Sequence, residues 1–240
     1  MTNDIFQAFV KALELIISLD PEVLNITFLS LRVSLIAVII ATIIGIPIGI
    51  TIGSQKFHGR RIVLVITNTG MSFPPVVMGL LVFLLFSNSG PFVQFGIDIL
   101  LTEAAMIIAQ LLLAIPIITG LSISAVSTID PKIRETAITL GANKKQIIWT
   151  QIREIRTEIF AAIIAAFGGA ISEIGAVQIV GGNIRYHTRT LTTAIGRDIG
   201  AGRWEYALAL GIILLLTALI VNIVFTYLQH SKSPRLVKGD

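Results

Sequence analysis

After Arg32 the chain carries no charged side chain until Lys56, and from Ala104 to Ser127 it again carries none. At 1.5 Å per residue, helices of this length cross the roughly 30 Å hydrocarbon core of a bilayer. The apolar residues are gathered into such runs and do not alternate with polar ones, so the expected class is an all-α integral membrane protein. Composition agrees, since 54% of residues are hydrophobic and 13% charged, against about 25% charged in soluble domains. Mean hydropathy is +0.87. The net charge of +4 does not argue for nucleic acid, because Lys and Arg in such a chain belong to the loops on one side of the membrane. With no cysteine there is no disulfide, thiolate metal site or thiol catalysis. The first twenty residues lack a basic n-region and a small-residue cleavage site, so no cleaved signal peptide is expected.

About five spans are expected: Ile26 to Gly53, Ile62 to Phe86, Ala104 to Ser127, Ile159 to Val180 and Tyr206 to Gln229. Residues 1–22 form an amphipathic interfacial helix before them. Ile5, Phe6, Phe9, Ala12, Leu13 and Ile16 share one of its faces, opposite Asp4, Gln7, Lys11 and Glu14. Residues 23–229 make one transmembrane domain with an internal charged loop, 128–158, and residues 230–240 are a basic tail. Breaks are expected at Pro47, at Pro74-Pro75 and at Gly168-Gly169, where proline or glycine loosens the backbone. Putting the 128–158 loop in the cytoplasm also puts there Lys56, Arg60, Arg61 and the tail. That side then holds twelve of the 18 Lys and Arg, which predicts the N-terminus outside and the C-terminus inside.

The charged loop has its own architecture. Asp130-Pro131 starts a helix, with aspartate as cap and proline at the first helical position. Ile133, Ala137 and Leu140 then share a face, Gly141 ends the helix, and a second helix begins at Asn143. Such a piece, with a small apolar stripe and charged flanks, suits a groove on another protein.

Glu135-Thr136-Ala137, three residues, then Gly141-Ala142 resembles the EAA loop of binding-protein-dependent ABC importer permeases of the MetI-like, type I kind. The resemblance covers nearly the whole chain. Phe73-Pro74-Pro75-Val76-Val77-Met78-Gly79 and Ile171-Ser172-Glu173-Ile174-Gly175-Ala176 are similar to the oxyanion branch. Val180 to Arg185, His187-Thr188-Arg189 and Leu191 to Ile195 look most like the tungstate permeases. Two departures stand out: Thr136 replaces the middle alanine, and the Ile-x-Leu-Pro closing the motif is here Gln151-Ile152-Arg153-Glu154.

The resemblance implies a multi-pass pore subunit of the cell membrane, working with a second copy of itself, a cytoplasmic ABC ATPase dimer, an extracytoplasmic binding protein and surrounding lipid. It assigns ATPase coupling to Arg134, Glu135, Thr136, Ala137, Gly141 and Ala142. No Walker A loop occurs, so ATP hydrolysis is expected on the partner, with no catalytic residue and no cofactor here.

Pro74, Pro75, Ser172 and Glu173 are expected at the translocation path or its gate. Glu173 lies about midway along a span, where an acid needs a partner. Arg32, Asn68 and Gln110 are the candidates, and a structural or gating role ranks above substrate contact. Arg185, His187 and Arg189 are expected to dock a binding protein or attract an anion. His187 has no second ligand at useful spacing, so no metal site is expected. Competing readings are a molybdate or sulfate permease, a secondary transporter and an intramembrane enzyme. The last would need paired acids or a nucleophile and base in the spans.

Overall fold

The computed structural model describes residues 2–231, so all but the first two residues of the expected basic tail lie outside the described residues. Every regular element among the described residues is helical: α1 (Thr2–Ile17), α2 (Pro21–Ser54), α3 (Arg60–Met71), α4 (Pro75–Phe86), α5 (Glu103–Val126), α6 (Pro131–Thr139), α7 (Lys144–Glu154), α8 (Arg156–Ser172), α9 (Gly175–Gly181), α10 (Leu191–Gly200) and α11 (Trp204–Ser231), with a short 3-10 turn at Val93–Phe95. Three helices, α2, α5 and α11, are long and apolar enough to cross a membrane alone. α3 and α4 form a further span bent by 98°, and α7 meets α8 at 73°. With each bent pair counted as one span the total reaches five, although α7 carries Lys144, Lys145, Arg153 and Glu154 within eleven residues.

α5 is the hub, packed against α2, α3, α4, α8 and α9. Its Ala114 and Ile118 meet Val38 and Ala41 of α2 and Ala166, Phe167 and Ala170 of α8 in a buried cluster. Small residues allow that approach: a Cβ on Gly49 would lie 2.5 Å from Ser122 Cβ and 2.7 Å from Thr119 O. In lipid, where hydrophobic burial does not drive helices together, such close contact is the main cohesive force.

Two expected breaks are absent. α2 runs unbroken through Pro47: Gly45 and Gly49 let α5 press against the loosened turn, so the backbone is covered without the helix opening. α8 is equally continuous through Gly168-Gly169, where an added Cβ would meet nothing within 4 Å. Glycine permits a break but does not compel one, and the real interruption lies at Glu173-Ile174.

The N-terminal helix packs along α11. Leu15, outside the expected apolar face, joins Ala209, Leu210 and Ile213 in a buried cluster. Phe6, Phe9, Leu13 and Ile16 of the expected face are exposed. Asp20 caps α2 by accepting from the Glu22 and Val23 amides, both at 3.0 Å.

Candidate functional site

Two helix breaks lie side by side at the heart of the bundle. At the first, Ser72 N and Phe73 N close the end of α3 on Thr69 O and Gly70 O. Pro74 and Pro75 then withhold the donors that would continue it, and α4 restarts with Pro75 at its first position. At the second, Glu173 is extended, and its carboxylate folds forward over the new helix. Oε1 accepts from Ala176 N at 2.8 Å and Oε2 from Val177 N at 3.0 Å. The acid satisfies two orphan amides and sits at the positive end of α9, which is the compensation a buried carboxylate requires. Its main-chain carbonyl accepts from Thr192 Oγ1 at 2.9 Å, tying the break to α10.

The two restarted half-helices are pressed together. A Cβ on Gly79 of α4 would stand 2.6 Å from Ala176 Cα, and one on Gly175 would stand 2.6 Å from Val76 Cγ2. A chamber of about 260 Å³ lies between the breaks, lined by Met71, Ser72, Pro74, Pro75, Gln110 and Glu173 among others. No basic side chain lines it. Gln110 is 3% exposed; its Nε2 donates to Ala170 O at 2.8 Å while its Oε1 has no partner. Ser72 brings a hydroxyl to the same lining and Glu173 a carboxyl group, so the few polar groups at the hinge include both a donor and acceptors.

Of the residues expected at a gate, Pro74, Pro75 and Glu173 line this chamber. Ser172 does not: its hydroxyl donates back to Gly168 O at 2.7 Å. The partner expected for Glu173 is corrected too. Arg32 pairs with Glu103, Gln110 with a carbonyl, and Glu173 with the backbone of its own chain three and four residues on. Gln110, a candidate partner of Glu173 by sequence, lines the same chamber but donates to Ala170 O, whereas Gly79 was not expected in the hinge.

The second region is the projecting helix pair α6–α7. Asp130 Oδ1 accepts from Lys132 N at 2.9 Å, and Gly141 turns the chain at φ +79°. Asn143 and Gln146 form a reciprocal capping box for α7. Glu135, Thr136 and Gly141 are exposed, Ala137 and Ala142 half-buried; the Arg134 side chain lies outside those described. Ile133 and Ala137 lean inward, but Leu140 is 81% exposed and Trp149 of α7 is 71% exposed. Two large apolar side chains are thus exposed on a helix pair that also carries Lys132, Glu135, Lys144 and Lys145. Trp149 was not expected there.

At the opposite end, the loop between α9 and α10 is fastened to the start of α2. Arg185 binds Glu22 through Nε at 3.1 Å and Nη2 at 2.6 Å, and Arg189 binds it through Nη1 at 3.0 Å. Arg189 is buried and also donates to Asn183 Oδ1 at 3.1 Å. Arg185 and Arg189 are thus engaged within the chain, and only His187 of the expected trio stands exposed without an ion pair among the described residues. Asp198, 1% exposed as a side chain, takes Arg197 and Arg203 in the same way.

Residues 45–234 match the family described as the inner membrane component of binding-protein-dependent transport systems. The tungstate uptake system permease protein TupB of Peptoclostridium acidaminophilum is 42% identical over 228 residues, 94% of this chain and 98% of that one. A probable anion ABC transporter permease of Haloferax volcanii is 42% identical over 82% of this chain and 87% of its own. The TupB of Campylobacter jejuni is 35% identical over 95% and 94%. Among solved structures, a bacterial alginate ABC transporter, crystallised with an alginate pentasaccharide-bound periplasmic protein, superposes with a TM-score of 0.76. It covers 99% of this chain and 88% of that one at 19% identity, a likeness of fold.

Proposed function

The chain belongs to the family of inner membrane components of binding-protein-dependent transport systems, and from that premise we propose that it is the pore subunit of an ABC importer for tungstate. The observation that carries the substrate is the nearly end-to-end similarity to two tungstate uptake permeases. Two copies enclose the path, and a separate binding protein delivers the oxyanion. A separate ATPase dimer drives the cycle, engaging Arg134, Glu135, Thr136, Ala137, Gly141 and Ala142 on the α6–α7 projection. Its motion reaches the hinge through α8, which leads from α7 directly to Glu173. The chamber between the two breaks then acts as part of the gate, with Pro74, Pro75 and Glu173 as its pivots.

The N-terminus lies outside and the C-terminus in the cytoplasm. Single cysteines introduced by Asn3→Cys and Lys238→Cys report this directly, since the natural chain has none. An impermeant thiol reagent added to intact cells should label the first and not the second. Labelling of neither would mean that α1 crosses the membrane beside α11.

The test of function is uptake in cells lacking their own oxyanion importers, with the permease supplied together with its ATPase and binding protein. Tungstate should accumulate in preference to molybdate and sulfate, and only when both partners are present. Equal uptake without the ATPase would point to a secondary transporter, and uptake of sulfate in preference to tungstate would overturn the substrate.

A further inference from the structure

Where α2 ends and α7 begins, a cavity of about 600 Å³ opens between them. Its floor is apolar, made of buried Ile50 with Ile147 and Ile148, and its wall holds Ser54 and buried Gln151, hydrogen-bonded to each other at 3.0 Å. Lys56 and Lys144 line the same cavity from opposite elements. Among the described residues neither has a carboxylate partner. Two lysines lining one cavity make its potential positive, and an anion held there would offset it.

Depth narrows the choice of anion. The uncharged run of α2 stops at Gln55, and Lys56, exposed Phe57, Arg60 and Arg61 follow at once. Basic residues directly after a long uncharged run mark the boundary between hydrocarbon and headgroups. A soluble anion would satisfy the lysines and leave the isoleucine floor unused, whereas a phospholipid has an end for each. We propose that this cavity binds the headgroup phosphate of an anionic phospholipid, lodged between α2 and α7. Basic pockets between helices at the cytoplasmic surface take such headgroups. The assignment to the cytoplasmic leaflet rests on the orientation proposed above, but the site does not depend on the transport reaction. Its consequence is regulatory. Ser54 to Gln151 is the only side-chain hydrogen bond between α2 and α7 among the described residues, so a bridging lipid would decide how firmly the projecting pair is tied to the bundle.

The experiment is lipid retention. The full chain is taken from phosphatidylcholine vesicles doped with phosphatidylglycerol, and the lipid surviving detergent washing is counted by native mass spectrometry. The natural protein should keep phosphatidylglycerol selectively. The double variant Lys56→Gln with Lys144→Gln should keep about tenfold less, as expected for losing two basic contacts to an anionic headgroup. Lys56→Arg with Lys144→Arg should restore retention, and Lys132→Gln with Lys145→Gln, off the cavity, should leave it unchanged. Equal retention by the glutamine pair and the natural protein overturns the site. Displacement of the lipid by inorganic phosphate alone overturns the lipid as its occupant. Loss of ATPase association with unchanged lipid retention would assign the lysines to a protein interface instead. Because the readout is bound lipid, a failed uptake experiment and a failed retention experiment are separate results.

Discussion

The two ends of the bundle treat their positive charges in opposite ways. At the end holding the α9–α10 loop, Arg32, Arg185, Arg189, Arg197 and Arg203 all bind a carboxylate of the same chain, and Lys11 binds Glu14. At the end holding α6 and α7, none of Lys56, Arg61, Lys132, Lys144, Lys145 and Arg153 forms an ion pair among the described residues. A face whose charges are satisfied internally has loops fixed in place, ready to be met as a rigid surface. A face whose charges are unpaired within the chain leaves them to solvent or to another molecule, and exposed Leu140 and Trp149 lie on the same helix pair.

The largest effect should follow from altering the open face. Under the proposed coupling role, Glu135→Arg places a cation where the partner offers one. Truncating a buried interfacial charge pair costs about 2–5 kcal/mol, so ATPase association measured by co-purification should weaken by roughly 30-fold or more, with the permease still folded. Unchanged association and unchanged substrate-stimulated hydrolysis would remove Glu135 from the interface.

The counterpart at the paired face is Glu22→Ala, whose effect should be on stability and not on ATPase binding. It strands Arg189, whose side chain is 9% exposed, and breaking a buried pair costs about 3 kcal/mol. Thermal unfolding in detergent should report it. A Glu22→Ala variant that unfolds like the natural protein would show that the paired face is not held by its pairs.

Between these faces the hinge should respond to volume. Gly79→Ala puts a methyl 2.6 Å from Ala176 Cα, which backbone cannot yield cheaply. Overpacking of this kind costs about 1–3 kcal/mol, and because it separates α4 from α9 it should slow uptake even where the protein survives. Gly168→Ala, which meets nothing, is the control.

What could be read from the sequence was what local physics decides. The uncharged runs gave the spans, Pro74-Pro75 gave one break, and Asp130-Pro131 with Gly141 gave the projecting helix pair. What escaped was decided at a distance or by competition. Pro47 stays helical because α5 covers it, a fact held on another element. Glu173 was recognised as needing a partner, but its partner is the next helix start, which exists only because α8 has ended. Arg189 read as a free cation because Glu22, 167 positions away, is invisible from its neighbourhood.

The smallest predicted effect discriminates most finely between the two faces. Arg32, about three turns into α2, binds Glu103 at the start of α5, and its guanidinium lies 5.7 Å from the Phe28 ring centroid. Both partners are part-exposed, at 43% and 35% of their side-chain surface, so the pair resembles a surface bridge worth about 0–1 kcal/mol. Arg32→Ala should therefore lower thermal stability only slightly, and by less still in high salt, where exposed pairs are screened. A loss well beyond about 1 kcal/mol, indifferent to salt, would mean that the headgroup region at this depth excludes water as a protein interior does. The contrast between the faces would then reflect how deep each charge lies, because pairing would be forced at one end and optional at the other.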